Sequence, residues 1–230
     1  MNIITQDNKL AEIVRKEFML FSILHRLGIN MAYDNLTIKQ ACERNGIDLH
    51  FFLLIVNTYV SPEYTPRDEV LVFSLKDLID FLGKSHEAFK YDYLPTMKDL
   101  FLKIRELDPT CGIEMVNNVY IKAQSMFVRH INYEHNIVFP YIIDVCINGR
   151  KYVNKDILDF INSSEHSEHS QFNEELCDLV SIFIKYVRPT CHAEMATLVG
   201  VLTSFSRDLA HHMAVENKYL YPRIHKHLHG

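Results

Sequence analysis

Two stretches decide how this chain is read: His130-Ile-Asn-Tyr-Glu134-His-Asn-Ile-Val-Phe139-Pro140 and His212-Met-Ala-Val-Glu216-Asn-Lys-Tyr-Leu-Tyr221-Pro222. Each carries a His, a Glu four residues on, and an aromatic-Pro whose proline falls six residues after the Glu. A His and a Glu at i,i+4 lie one turn apart on one face of a helix. Two such helices facing each other would bring two imidazoles and two carboxylates into one interior site. That mixture of N and O donors suits a non-haem metal pair, iron above all. The repeat carries the weight, because chance seldom reproduces the spacing through to the prolines.

The pattern extends outward. The interval from His86 to His130 matches that from His169 to His212 to within one residue. Each half therefore offers a histidine on one helix and a His-x-x-x-Glu on a later one, and in an up-down bundle these can meet at one level of the core. Two carboxylates would offset the charge of a dinuclear pair. Burying them without a cation would cost several kcal/mol.

The helices themselves read from apolar spacing. From about Ser74 the pattern predicts helices over roughly 75–92, 94–107 (the Leu100, Phe101, Ile104, Leu107 stripe, closed by Asp108-Pro109), 112–145, 166–187 and 192–228. Asn148-Gly149 and Pro189 punctuate them. Pro140 and Pro222 should kink or end their helices. Residues 1–60 form a separate small helical module. Leu10, Ile13, Val14, Phe18, Phe21 and Leu24 recur at helical spacing before Gly28. Thr37 and Asp48 are placed to cap two further helices. Residues 61–73, with Ser61-Pro-Glu-Tyr-Thr-Pro66, read as a linker, and 74–230 as the bundle. The expected fold is all-α: an antiparallel four-helix bundle preceded by the small module.

Composition narrows the function. The 230 residues carry a formal net charge of −5, which gives no general attraction to nucleic acid. The segment Leu36–Val56 has a helix-turn-helix outline. Its second helix, His50-Phe-Phe-Leu-Leu-Ile-Val-Asn, lacks the Lys or Arg that phosphates require. Burial in a dimer or domain interface suits it better, so a homodimer through this module is one expectation. No apolar run is long enough to cross a bilayer, and the N-terminus shows no signal-peptide pattern, so a cytoplasmic protein is expected. Five scattered cysteines, with no C-x-x-C pair, argue against a disulfide framework or a thiolate zinc site.

The same residues resemble the hemerythrin-like di-iron proteins, in particular the family that repairs iron–sulfur clusters. The matching pieces are His86…Leu94-Pro95, His130-x-x-x-Glu134-x5-Pro140, Glu168-His169 and His212-x-x-x-Glu216-x5-Pro222, with a weaker match over Gly28–Asp48. The resemblance implies a hemerythrin-like bundle binding two non-haem irons through His86, His130, His169 and His212, with Glu134 and Glu216 as bridges. It also implies damaged iron–sulfur proteins as partners, O2 or NO as small ligands, and a role under nitrosative or oxidative stress. A regulatory protein that senses O2, NO or iron through the N-terminal module is the alternative. A redox enzyme would need demonstrated turnover.

The chain departs from the family pattern in three places. Met31-Ala32-Tyr33 stands where the family has a Cys pair. The spacing from His86 to Leu94-Pro95 is one residue longer. The slot of a fifth histidine falls on Asp108, leaving Asp108, His192 or an open position as its replacement. His166 lies close enough to His169 to share its face, whereas His135 and His211 point about 100° away from their neighbours. Glu168 could line a path to the metals, and Tyr133, Tyr219 and Tyr221 could hydrogen-bond around them. His25 and His50 belong to the N-terminal module with nothing pairing them to a site, and the tail His225-Lys-His227-Leu-His229, which could bind a metal loosely at i,i+4, reads as a solvated, frayed helix end.

Overall fold

The computed structural model describes residues 3–30, 35–61, 63–66, 72–152, 154–164, 168–187 and 190–229. Met31-Ala32-Tyr33, His166 and part of the 61–73 linker lie outside these. Of Glu168, His169 and His229 only the backbone is described. The described chain is helical, with one isolated bridge, Lys9 to Thr37, and no strand. No helix among the described residues is long and apolar enough to cross a membrane.

The N-terminal residues form α1 (Leu10–Lys16), α2 (Leu20–Arg26), α3 (Ile38–Asn45) and α4 (Leu49–Val60). The apolar run read as one helix is therefore two, and Phe18 and Phe21 are exposed rather than buried. Thr37 makes a capping box with Gln40, its side chain accepting the Gln40 N–H while the Gln40 side chain accepts from Thr37. Gly46 closes α3 at φ 65°, a left-handed conformation that favours glycine. Asp48 caps α4 by accepting the Phe51 N–H at 2.7 Å.

Beyond the linker come α5 (Leu75–Ala88) and, after a π-helical turn at Phe89–Tyr93, α6 (Leu94–Leu107). Then α7 (Ile113–Tyr133) passes through a π turn (Glu134–Val138), α8 (Phe139–Ile142) and a second π turn (Ile143–Ile147). An unforeseen helix, α9 (Lys155–Ser164), precedes α10 (Glu168–Tyr186). Last, α11 (His192–Val215) runs through a π turn (Glu216–Leu220) into α12 (Tyr221–His229). Pro95, Pro140 and Pro222 interrupt nothing: each follows a π turn at the second residue of the next helix.

The chain divides into two compact units at places the linker did not indicate. One comprises Met1–Ser85 with Ala214–Gly230, the other His86–Met213. Side-chain contacts explain the first grouping. Phe81 packs edge-on against Phe51 and Tyr59 at 6.3 and 6.1 Å. Phe73 lies edge-on to Tyr219 at 6.4 Å, and Arg223 stacks 4.5 Å above Phe73 while donating to its carbonyl at 3.0 Å. The Thr58 and Tyr219 hydroxyls are hydrogen-bonded at 3.0 Å in a buried setting.

In the second unit α6, α7, α10 and α11 contribute to one apolar core. Phe127 and Phe172 stack at 4.3 Å, and Phe205 meets both edge-on. Further along, Phe101 stacks on Tyr120 at 5.0 Å and touches Phe183 at 5.9 Å. Of the stripe expected over 94–107, Phe101 and Ile104 are buried in this core and Leu100 packs against it, whereas Leu107 is exposed.

Candidate metal centre

His86 lies in the last turn of α5, and His130 in the last turn of α7. Glu134 opens the π turn that follows α7. His212 lies in the last turn of α11, with Glu216 opening the next π turn one helical turn on in the same unbroken run. All five are buried, Glu134 and His212 completely. π turns are rare and recur at functional sites; here each Glu of the repeat begins one.

The second unit brings four of these residues together. His86 Nε2 lies 3.1 Å from His212 Nε2. His86 Nε2 and His130 Nε2 each lie 3.4 Å from the same oxygen, Glu134 Oε2. A charge-assisted N–H···O bond closes to about 2.7–2.9 Å, so the carboxylate is approached by two imidazoles but gripped closely by neither. Two donors bound to one first-row ion at about 2.1 Å, subtending 90–110°, stand about 3.0–3.4 Å apart. The observed spacings fall in that range. Buried imidazoles and a carboxylate at these spacings could hold a metal ion.

Aromatic rings pack against three of the donors. Phe139 stacks parallel to His86 at 5.4 Å, Phe89 meets the His212 ring edge-on at 5.3 Å, and Phe160 lies 5.2 Å from His130. Phe160 belongs to the unforeseen α9 and could not have been placed from the repeat. Asp208 was also missed. It is 1% exposed, and four residues before His212 it shares that histidine's face of α11. The sequence signal was available, since Asp208, His212 and Glu216 recur at i, i+4 and i+8. Of the two histidines that point away from their neighbours, His211 is 9% exposed and His135 is solvent-exposed.

Both proposed substitutes for the fifth histidine are placed elsewhere. Asp108 caps the C-terminal end of α6. Its Oδ2 accepts the Thr190 N–H at 2.9 Å and the Thr190 hydroxyl at 3.0 Å, and its Oδ1 accepts the Thr110 hydroxyl at 3.0 Å. The Thr190 N–H and hydroxyl, then Thr110, hold its carboxyl below the usual carboxylate range. At 1.5 Å per residue, Asp108 stands about 30 Å from His86 along the α5–α6 run. His192, at the start of α11, stands about 30 Å from His212 by the same measure. Asp108 ties two inter-helix turns together at the far end of this unit; neither residue meets the donor set.

No protein-family model matches the chain, and no curated protein is similar to it. Fold and site together define a helical protein with a buried His/Glu candidate metal centre.

Proposed function

We propose that the chain is a hemerythrin-like di-iron protein that serves the repair of iron–sulfur clusters damaged by nitrosative or oxidative stress, binding or donating iron. The observation that supports this reading is the pair of imidazole nitrogens converging on one buried Glu134 oxygen, with a third imidazole 3.1 Å from the first. In this reading His86, His130 and His212 hold the ions, with His169 as a fourth imidazole from the first turn of α10. Glu134 and Glu216 are the bridging carboxylates. The donors fit iron, because neutral imidazoles and anionic carboxylates together suit a borderline first-row cation. When bound, the pair would supply one-electron chemistry and affinity for O2 or NO.

The protein's own part is to orient and to exclude. The stacked Phe139 and edge-on Phe89 fix the ring planes of His86 and His212. Burial keeps water from competing for the carboxylates. Iron content and the near-UV absorption of the purified protein test the metal; two irons per chain are expected. A Glu134→Gln, Glu216→Gln double variant should load none, and full loading would refute the assignment. Restoration of activity to a damaged iron–sulfur enzyme tests repair.

One observation favours the sensing alternative. The Thr58–Tyr219 hydrogen bond joins α4 to the π turn that Glu216 opens, within a single compact unit. Metal-dependent binding of the N-terminal module to a protein or DNA partner, without cluster repair, would decide for it.

A further inference from the structure

Between the end of α5, the π turn after it and the end of α7 lies a cleft of about 180 Å³, floored by His86 and walled by Lys90, Asn132, His135, Asn136 and Glu87 among others. It has room for several waters, each of which needs on the order of 10–15 Å³ of such space. Its polar wall is unbalanced. Lys90 Nζ donates to Asn132 Oδ1 at 3.0 Å and sits 5.4 Å from the centroid of the Tyr91 ring. An ammonium has three N–H donors, so two are not used by that bond. Asn136 Nδ2 donates to the Asn132 carbonyl at 2.8 Å, which leaves its second N–H over. Each Asn132 oxygen thus already accepts one bond, and among these three side chains the N–H donors left on Lys90, Asn132 and Asn136 outnumber the remaining amide oxygen, Asn136 Oδ1. Glu87 is solvent-exposed, where its charge is screened; Lys90 is half-buried, where screening is weaker.

We propose that this cleft binds a small inorganic oxyanion of the size and charge of nitrite, held by Lys90 and the side-chain amides of Asn132 and Asn136 beside His86. A triatomic anion fills part of the volume and accepts from several donors at once, which a neutral diatomic cannot do. Binding itself needs only the cleft; delivery of the anion to a bound metal rests on the metal-centre reading above.

The test uses metal-free, ¹⁵N-labelled protein titrated with sodium nitrite, against sodium chloride at matched ionic strength. Saturable shifts are expected in the Asn132 and Asn136 side-chain amides and in the backbone of residues 86–91 and 131–136. Lys90→Met should weaken nitrite binding at least about tenfold, as loss of a charged hydrogen-bond donor does. Lys90→Arg should restore most of it. Both variants are checked for an unchanged circular dichroism spectrum and melting midpoint. Non-saturating shifts, equal shifts with chloride, or unchanged binding in Lys90→Met would overturn the proposal. Iron content is measured separately on the same variants. Failure of the metal-centre reading would therefore appear in the iron analysis, and failure of the cleft in the titration.

Discussion

Glu134→Gln separates a metal ligand from a merely structural buried carboxylate. The side chain is 0% exposed, and one of its oxygens lies 3.4 Å from two imidazole nitrogens. Glutamine preserves shape and removes the anionic donor. Its cost to the metal-free protein depends on how the imidazoles around it are charged, so each variant must serve as its own reference. A ligand that binds only the folded state stabilises it by about 2.7 kcal/mol at 100 Kd and about 4.1 kcal/mol at 1,000 Kd. A chain of this size shifts its melting midpoint by about 2–4 °C per kcal/mol. Anaerobic addition of ferrous iron should therefore raise the wild-type midpoint by about 5–16 °C, followed by differential scanning fluorimetry with iron content measured alongside. The Glu134→Gln midpoint should move by less than about 2 °C under the same conditions. An equal iron-induced shift in both proteins would refute Glu134 as a ligand. No shift in either would refute the metal centre.

Other substitutions probe the framework around the site. Tyr219→Phe should lower stability by about 0.5–1.5 kcal/mol, the net worth of one hydrogen bond, because the Thr58 hydroxyl keeps its bond to the Leu54 carbonyl at 2.8 Å. With Thr58→Val in a double-mutant cycle of urea unfolding, the two losses should sum to more than the double variant's, and strict additivity would show the bond to be idle. Phe127→Ala removes the ring stacked on Phe172 at 4.3 Å and should cost about 3–5 kcal/mol by the same assay. Asp108 has its carboxyl held below the ordinary value of 3.8, so its stabilisation is complete above that value and lost as pH falls through the lower folded value. Asp108→Asn should thus be less stable than wild type at neutral pH. The gap should narrow in acid unfolding below about pH 4, and a gap independent of pH would refute the carboxylate's role as acceptor for Thr190 and Thr110. Cys42 is pushed up to about 12, by burial first and then by Asp48 and Glu43. At pH 8 iodoacetamide should leave it unmodified in the folded protein while the exposed Cys177 reacts, as read by mass spectrometry.

The helices that were legible are those whose apolar residues fall on one stripe. The stretch 94–107 was bounded as observed, because Leu94, Met97, Phe101 and Ile104 face the core and Pro95 and Asp108 mark its ends. The same holds for the caps at Thr37 and Asp48, where side chain and backbone act within three residues. What escaped was not local. The break between α1 and α2 falls at Glu17–Met19 without Gly or Pro to announce it, and exposure of Phe18 makes it a tertiary decision. Asp108 was matched to a ligand slot by counting along a motif, yet counting along a chain does not measure distance along an axis. The Thr190 N–H, the principal partner of its carboxylate, is 82 residues away in sequence. The donors themselves were legible for a simple reason: i,i+4 spacing is a statement about one helix face and needs no knowledge of the rest of the fold.

The prolines explain why the carboxylates stand where π turns begin. A proline inside an α-helix lacks the N–H owed to the carbonyl four residues back, and its ring collides with that carbonyl. Here the residue just before each proline donates five residues back instead: Leu94 to Phe89, Phe139 to Glu134, Tyr221 to Glu216. Each widened turn takes in one residue more than an α-turn, so the helix reaches its proline in a register that lets it continue. The Glu-x5-Pro interval of the repeat is therefore the length of one π turn and its closing residue. Phe89-x5-Pro95 is a third copy, which accounts for the extra residue between His86 and Leu94-Pro95. The position that opens the turn is buried in all three. In two copies it carries a carboxylate; in the third it carries Phe89, whose ring lies edge-on against His212. One backbone device thus sets three side chains inward, two able to hold a cation and one able to keep water from it.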